Sequence, residues 1–193
     1  MVLAYHLIWT IYGRWLPNDL RGSFSTRIWS KSMYEALGPI VCFGRNPNQP
    51  DSNRRIYQLT VAEDVLTYPV VELNGKMAKA VANVISDELD LLRIRCHGFA
   101  IMPDHLHMMV HRKAKPAEDL GIVLKRKTHD VLRESFSEFS EDHKVWTVGR
   151  PWITYLDSHE AIWACRRYID GNPEKLGLPS QKWSFVEHLA PLG

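Results

Sequence analysis

Residues 94–102 and 105–111 read IRCHGFAIM and HLHMMVH, two apolar segments joined by Pro103-Asp104. Proline followed by aspartate is typical of a tight turn, and each segment is short and rich in apolar residues. We therefore predict a β-hairpin. On its second strand, residues two apart point to the same side of the sheet, so His105 and His107 project together.

Helical and extended segments flank this hairpin on both sides. Apolar residues recur at helical spacing before and after it, and short β-branched and aromatic runs indicate two more strands. The predicted elements outside the hairpin are a strand at 5–12, helices at about 75–92 and 116–136, a strand at 152–155 and a helix from 157 to about 171. This order predicts an α+β, ferredoxin-like split βαβ sandwich: an antiparallel sheet with helices on one face, plus an added C-terminal helix.

The composition is that of a globular protein. The chain has 193 residues, of which 45% are hydrophobic and 24% charged, and its net charge is +2. Three cysteines do not suggest a disulfide framework, and no apolar run reaches the roughly 18 residues of a membrane helix. We predict a single domain over 1–180 with a loop insertion near 38–60, a C-terminal tail at 181–193, and a cytoplasmic location without membrane contact.

The histidine pair on the predicted strand has two interpretations. Imidazoles side by side on a sheet are a ready pair of metal ligands. Equally, His105 and His107 could be ordinary polar residues on a solvated strand face, because the His-x-His pattern also arises by chance. Two further histidines near the strand ends, His97 and His111, are interpreted as structural.

A second motif lies on the predicted C-terminal helix. Tyr168 and Asn172 are four residues apart, so they share one helix face. Pro173 pushes the residue before it away from helical geometry, which places Asn172 at the helix end. Considered alone, Tyr168 could simply be a surface aromatic between arginines.

Together the two motifs resemble the single-tyrosine HUH transposases, and most closely the REP-associated tyrosine transposases. That family has Met-Pro-Asn/Asp-His-hydrophobic-His on a strand, as at 102–107, and Tyr-hydrophobic-x-x-Asn-Pro on a later helix, as at 168–173. The segment 4–22 also resembles the first strand and loop of the family. The segment 38–60 and the end of the chain have no such counterpart.

The resemblance implies a metal-dependent enzyme that cuts and rejoins single-stranded DNA. His105, His107 and the amide oxygen of Asn172 would hold Mg²⁺ or Mn²⁺, and Tyr168 would attack the phosphodiester to give a 5′-phosphotyrosine link. The implied substrate is a hairpin-forming repeat. The sequence names no general base for Tyr168, and it does not decide between a monomer and a homodimer.

Basic residues cluster after the hairpin. Between His111 and Arg133 there are seven lysines and arginines against three acidic residues. Such a segment can be a solvated helix face, or it can follow DNA phosphates. The residues predicted to contact DNA are Arg112, Lys113, Lys125, Arg126, Lys127, Arg133, Arg166 and Arg167.

Two other functions remain open at this point. One is a protein of the same fold that binds DNA hairpins without cutting them. The other is a zinc hydrolase that uses His105 and His107 with a bound water.

Overall fold

The structure is a computed structural model in which residues 1–189 are described, so the last four residues of the predicted tail lie outside the described part. Every predicted helix and strand is confirmed, with ends displaced by about two residues or less. The elements, in chain order, are β1 (Ala4–Thr10), α1 (Lys31–Leu37), α2 (Ser52–Glu63), α3 (Gly75–Leu91), β2 (Cys96–Ile101), β3 (His105–His111), α4 (Ala117–Ser135), β4 (Trp152–Leu156), α5 (His159–Asp170) and α6 (Asn172–Lys175).

The four strands form one antiparallel sheet in the order β2-β3-β1-β4. β1 and β3 lie in the centre, where Ile8 is paired with His107 and Thr10 with His105. A sheet with its first and third strands in the middle and crossover helices α3 and α4 has ferredoxin-like topology. The predicted fold class is therefore confirmed.

One side of the sheet is covered by α4, which also packs against α3. A Cβ atom on Gly121 of α4 would lie 3.1 Å from Cδ2 of Leu7 and 2.3 Å from Cγ of Pro151. Only glycine lets the helix come this close to the strand. Leu7 therefore marks the side of the sheet on which α4 lies.

The opposite side is covered by α5. Side chains alternate along a strand, so Ala4 and Met109 point away from the side marked by Leu7. Ser158 caps the N-terminus of α5, and its hydroxyl accepts a hydrogen bond from the Ala161 N–H. The apolar residues that join α5 to this side of the sheet are Ala4, Ala100, Met102, Met109, Leu156, Ile162, Cys165 and Ile169.

Residues 11–71 form a separate compact unit, whereas Met1–Thr10 and the chain from Glu72 onward form the other. The first of these units contains the segment 38–60 that was predicted to be a loop. That prediction is wrong for its second half, because α2 begins at Ser52, capped by the side chain of Asp51. Few residues of α2 are buried, so apolar residues do not recur along its sequence at clear helical spacing.

The chain beyond α6 runs beside β2. The side-chain amide of Gln181 accepts from the Ile101 N–H over 3.0 Å and donates to the Ile101 carbonyl over 2.7 Å. Further along, the Glu187 N–H donates to the Cys96 carbonyl. The segment thus pairs with backbone groups of an outermost strand. Among residues 1–189, no helix has the length and apolar character needed to cross a membrane.

Candidate active site

The two histidines of β3 lie on the side of the sheet that faces α5. Their ring centroids are 4.9 Å apart and the rings are nearly perpendicular. His107 is buried, and His105 at the start of the strand is partly exposed. β-strand alternation predicted this common direction, and the backbone register places both side chains beneath the helix that follows β4.

A third histidine, His6 of β1, joins this pair. Its Nε2 lies 3.0 Å from Nδ1 of His107, and both rings are buried. Sequence reasoning missed His6, because the contact requires knowing that β1 pairs with β3 in a register that sets His6 opposite Met109. The alternation of β1 alone would have placed His6 on the same side as Ala4.

Burial keeps the rings of His6 and His107 neutral. Loss of hydration, together with the neighbouring His105, His6 and Lys175, lowers the pKa of His107 to about 2. Burial likewise lowers the pKa of His6 to about 4. Neutral imidazoles are the form that binds metal ions, so both rings are ready to act as ligands or as hydrogen-bond partners near pH 7.

Of the two ring nitrogens of His107, one has a hydrogen-bond partner and the other has none. Its Nδ1 contacts His6, whereas its Nε2 is buried without a hydrogen-bond partner. Such an orphaned polar atom costs free energy unless a ligand satisfies it. At the next ligand position, Asp104 Oδ1 lies 2.5 Å from Nδ1 of His105, which leaves Nε2 of His105 as its second nitrogen.

Tyr168 lies on α5 over the histidines. Its ring centroid is 5.2 Å from that of His107 and 6.2 Å from that of His6. The side chain is nonetheless 47% exposed, so a large substrate can reach it. Lys175 of α6, a second residue that sequence reasoning missed, places its ammonium nitrogen 4.5 Å from the centre of the tyrosine ring.

A glycine on β2 sets how closely α5 approaches the sheet. A Cβ atom on Gly98 would lie 3.2 Å from Cδ1 of Ile169 and 3.4 Å from Cδ of Arg166. Ile169 is the residue next to Tyr168 and is completely buried. The absence of a side chain at position 98 therefore helps to bring the tyrosine down to His107.

Asn172 is the first residue of α6 and is separated from the end of α5 by Gly171. Its Nδ2 donates to the carbonyl oxygen of Tyr168 over 2.5 Å, and the residue is buried. Because the amide nitrogen is occupied, the amide oxygen is the atom left to bind another group. The structure therefore brings Asn172, Tyr168, His105 and His107 to the same side of the sheet.

The candidate donors have the chemistry to hold a divalent cation. Residues 1–189 contain no group of three His, Cys, Asp or Glu side chains placed to share a metal ion. The predicted set has only two imidazoles, with the amide of Asn172 as third ligand, and His107 has a buried nitrogen without a partner. A neutral oxygen ligand suits Mg²⁺ or Mn²⁺, whereas a pair of imidazoles also suits Zn²⁺, and a catalytic zinc site takes three protein ligands, so the donor set does not choose among these cations.

Two of the three cysteines, Cys96 and Cys165, are unsuited to be nucleophiles. Burial raises the pKa of both Cys96 and Cys165 to about 12. A thiol that stays protonated at neutral pH is inert. Tyr168 therefore has no competitor in Cys96 or Cys165.

The arginines of α5 have different surroundings. Arg166 forms an ion pair with Asp170 and donates to the carbonyl of His97 over 2.5 Å, so it ties α5 to β2. Arg167, beside Tyr168, is exposed. The assignment of both to DNA contact stays a prediction, and of the two only Arg167 presents its guanidinium to solvent without such ties.

The basic residues of α4 lie on the other side of the sheet from Tyr168. The ammonium of Lys125 donates to the carbonyls of Thr147 and Gly149, and burial lowers its pKa to about 8. The ammonium of Lys127 is paired with Glu88. These two lysines therefore have partners within the protein.

The other predicted DNA contacts differ in exposure. Arg126 on α4 is exposed and Arg133 is partly buried. Arg112 and Lys113, just after β3, are exposed, and Arg112 donates to the Val2 carbonyl over 3.4 Å. Their contact with DNA stays a prediction.

Comparison with known proteins gives structural matches alone. No family profile and no curated protein matches the sequence. The solved structure of a REP-associated tyrosine transposase bound to a REP hairpin is similar over 94% of this chain and 74% of its own, with a TM-score of 0.50 and 10% identity. A protein described as a "putative transposase from Deinococcus radiodurans R1" is similar over 89% of this chain and 91% of its own, with a TM-score of 0.46 and 12% identity.

At such identity the likeness establishes the fold. The chain has the fold of a REP-associated tyrosine transposase, which is the family that its two motifs resemble.

Proposed function

We propose that this protein is a single-tyrosine HUH transposase that cuts and joins single-stranded DNA at hairpin-forming repeats. The observation that carries the proposal is the ring of Tyr168, 5.2 Å from that of His107, whose buried Nε2 has no partner. These residues come from separate motifs of the sequence, and in this proposal each would have the role that the resemblance implies. The similarity to a hairpin-bound transposase supports the proposed substrate.

In this proposal, different residues of the chain bind the metal ion and attract the phosphate. His105 and His107, through Nε2, and Asn172, through its amide oxygen, would hold Mg²⁺ or Mn²⁺. When bound, such a cation neutralises charge on the scissile phosphate and polarises its P–O bonds. Lys175 adds a positive charge beside the tyrosine ring, which attracts the phosphate to the exposed face of Tyr168.

The bond changes follow from a tyrosine nucleophile. The Tyr168 hydroxyl loses its proton and its oxygen forms a bond to phosphorus, while the bond from phosphorus to the 3′ oxygen breaks. The departing oxygen takes up a proton and becomes a free 3′-OH. The energy of the phosphodiester is kept in the phosphotyrosine link, so the reverse reaction with a 3′-OH rejoins strands without ATP.

The test uses end-labelled single strands that span hairpin-forming repeats beside the gene. The protein is incubated with each strand and Mn²⁺ and then run on a denaturing gel. A 5′-phosphotyrosine link predicts that a 3′ label stays with the protein, whereas a 5′ label leaves on the shorter DNA product.

The matched variants are Tyr168→Phe and Tyr155→Phe. Tyr155 is an exposed tyrosine on β4 whose hydroxyl donates to Glu118. We expect Tyr168→Phe to bind the hairpin but form no adduct, and Tyr155→Phe to form it normally. An adduct in Tyr168→Phe would refute the nucleophile. Hairpin binding without an adduct in the unmodified protein would favour the non-cleaving binder, and tightly held stoichiometric zinc would favour the hydrolase.

A further inference from the structure

Each candidate metal ligand on β3 has its Nδ1 engaged by a neighbouring side chain. Nδ1 of His105 lies 2.5 Å from a carboxylate oxygen of Asp104. Nδ1 of His107 lies 3.0 Å from Nε2 of His6. In both rings the same nitrogen is used within the protein, and in both Nε2 remains.

We propose that His6 and Asp104 are positioning residues that hold His107 and His105 with hydrogen on Nδ1 and a lone pair on Nε2, the form that binds a divalent cation. The proposal rests on the proposed function, because it concerns the cation of that same site. It assigns roles to two residues outside the predicted ligand set.

The assignment for His105 follows from the chemistry of its partner. An ionised carboxylate can accept hydrogen bonds but cannot donate them. Nδ1 of His105 is therefore the donor toward an ionised Asp104, and a neutral ring with hydrogen on Nδ1 has its lone pair on Nε2. An asparagine at position 104 could accept the same bond through its amide oxygen.

The assignment for His107 follows from what binding a cation requires. A bond between two neutral imidazoles needs one donor and one acceptor. If His6 donated, His107 would carry its hydrogen on Nε2, and that nitrogen could not bind a metal. A buried N–H would also be left without an acceptor, because Nε2 of His107 has no hydrogen-bond partner. In the form that binds a cation, Nδ1 of His107 therefore donates to Nε2 of His6.

The same contact excludes His6 as a further ligand through Nε2, since that nitrogen already accepts the bond from His107. His6 instead lies beneath the ligand and 6.2 Å from the ring of Tyr168. Partners of this kind fix the orientation of ligating histidines and raise their basicity, and their loss typically costs about 10–100-fold in metal affinity. His6 thus belongs to the site although it touches neither cation nor substrate.

The first measurement needs no substitution. Long-range ¹H–¹⁵N NMR of the full chain at pH 7.5, without metal, reports which nitrogen of each imidazole carries hydrogen. We expect hydrogen on Nδ1 in His105 and His107. Finding it on Nε2 of His107 would overturn the role of His6, and finding it on Nε2 of His105 would overturn the role of Asp104.

The second measurement is a titration with Mn²⁺ alone, in which EPR reports the free ion. His6→Gln keeps an acceptor near the position of Nε2, whereas His6→Leu removes it. We expect His6→Leu to weaken Mn²⁺ binding by about 10–100-fold and His6→Gln to restore most of the affinity. His97→Leu is the control, because His97 is equally buried but pairs with His111 instead.

Asp104 is tested in the same way with Asp104→Asn and Asp104→Leu. The asparagine keeps an acceptor oxygen, so we expect a smaller loss of Mn²⁺ affinity than in the leucine variant. Equal affinity in the unmodified protein, His6→Leu and Asp104→Leu would overturn the positioning roles and leave the proposed function intact. No Mn²⁺ binding by the unmodified protein would instead overturn the metal part of the proposed function, and this inference with it.

Discussion

The side-chain amide of Asn172 donates to the backbone carbonyl of Tyr168, four residues earlier in the chain, over 2.5 Å. This bond joins the proposed nucleophile to the proposed third metal ligand across the break between α5 and α6. Pro173 disfavours helical backbone geometry at Asn172. The side-chain amide of Asn172 nevertheless bonds the carbonyl four residues earlier, which is the carbonyl that a backbone N–H would bond in a continuous helix. This hydrogen bond thus fixes the position of Asn172 relative to Tyr168, the other residue of the second motif.

Replacing Asn172 by alanine tests both roles of the amide. The variant loses the bond to the Tyr168 carbonyl, so we expect the free energy of unfolding to fall by about 1 kcal/mol in urea titration. It also loses the amide oxygen, so Mn²⁺ binding measured by EPR should weaken. If stability falls while Mn²⁺ affinity is unchanged, the amide is structural and is not a ligand.

Gly98 sets the distance between the tyrosine and the histidines, so Gly98→Val should separate them. The new side chain would collide with Ile169 and Arg166, and α5 would have to move outward. Because displacement of a reacting group by 1 Å can cost about 100-fold in rate, we expect the rate of adduct formation to fall by that order.

The control for Gly98→Val is Gly75→Ala at the start of α3, where an added Cβ meets open space. That variant should form the adduct at the normal rate. Circular dichroism checks that both variants are folded. A normal rate of adduct formation by Gly98→Val would show that the spacing between α5 and the sheet does not limit the rate of this reaction.

Lys125 was predicted to contact DNA, but its ammonium is bound to backbone carbonyls of Thr147 and Gly149. Lys125→Met should leave these carbonyls without their donor and reduce the free energy of unfolding by about 1–3 kcal/mol. Arg126→Met, at the exposed neighbouring position, should change it by less than about 0.5 kcal/mol. Unchanged stability combined with weaker hairpin binding would return Lys125 to its predicted role.

The buried His97 makes stability depend on pH. Burial, then His111, Arg95 and Arg166, lower its pKa to about 4, against 6.5 for an ordinary histidine. Between these values the unfolded chain binds a proton that the folded chain does not. Acidification therefore lowers the free energy of unfolding, by about 1 kcal/mol per pH unit for this group. His6 and His107 contribute a slope of the same sign, so His97→Leu should reduce the slope between pH 6.5 and 4 without abolishing it, and an unchanged slope would contradict the assignment.

Local pattern predicted the elements of this fold well. The hairpin at 94–111 is marked by its turn and by strand alternation, and the helix at 75–92 by its apolar period. Such signals lie within single elements, so no tertiary information is needed to recognise them. The helix α2 was not predicted, because only Gln58 and Ala62 of it are buried and its sequence therefore shows no apolar stripe.

The candidate site was predictable only in part, for a related reason. His105, His107, Tyr168 and Asn172 belong to motifs that are continuous in sequence. His6 is missed because its role depends on the register between two strands that are far apart in the chain. Likewise, the sequence shows that Lys125 is positively charged, but it does not show which groups bind its ammonium. The two carbonyls that do so belong to a loop whose sequence has no periodic pattern from which its position could be predicted.

The sheet also separates two basic surfaces. Tyr168, Arg167 and Lys175 lie on one side of it, whereas α4 with Arg126 lies on the other. A DNA strand whose scissile phosphate meets the tyrosine can reach α4 only by bending around the rim of the sheet, and next to β2 that rim is covered by the segment that follows α6. Under the proposed function, the two surfaces would therefore contact different parts of a folded substrate, because the basic residues that are close in sequence are divided between the two sides of the sheet.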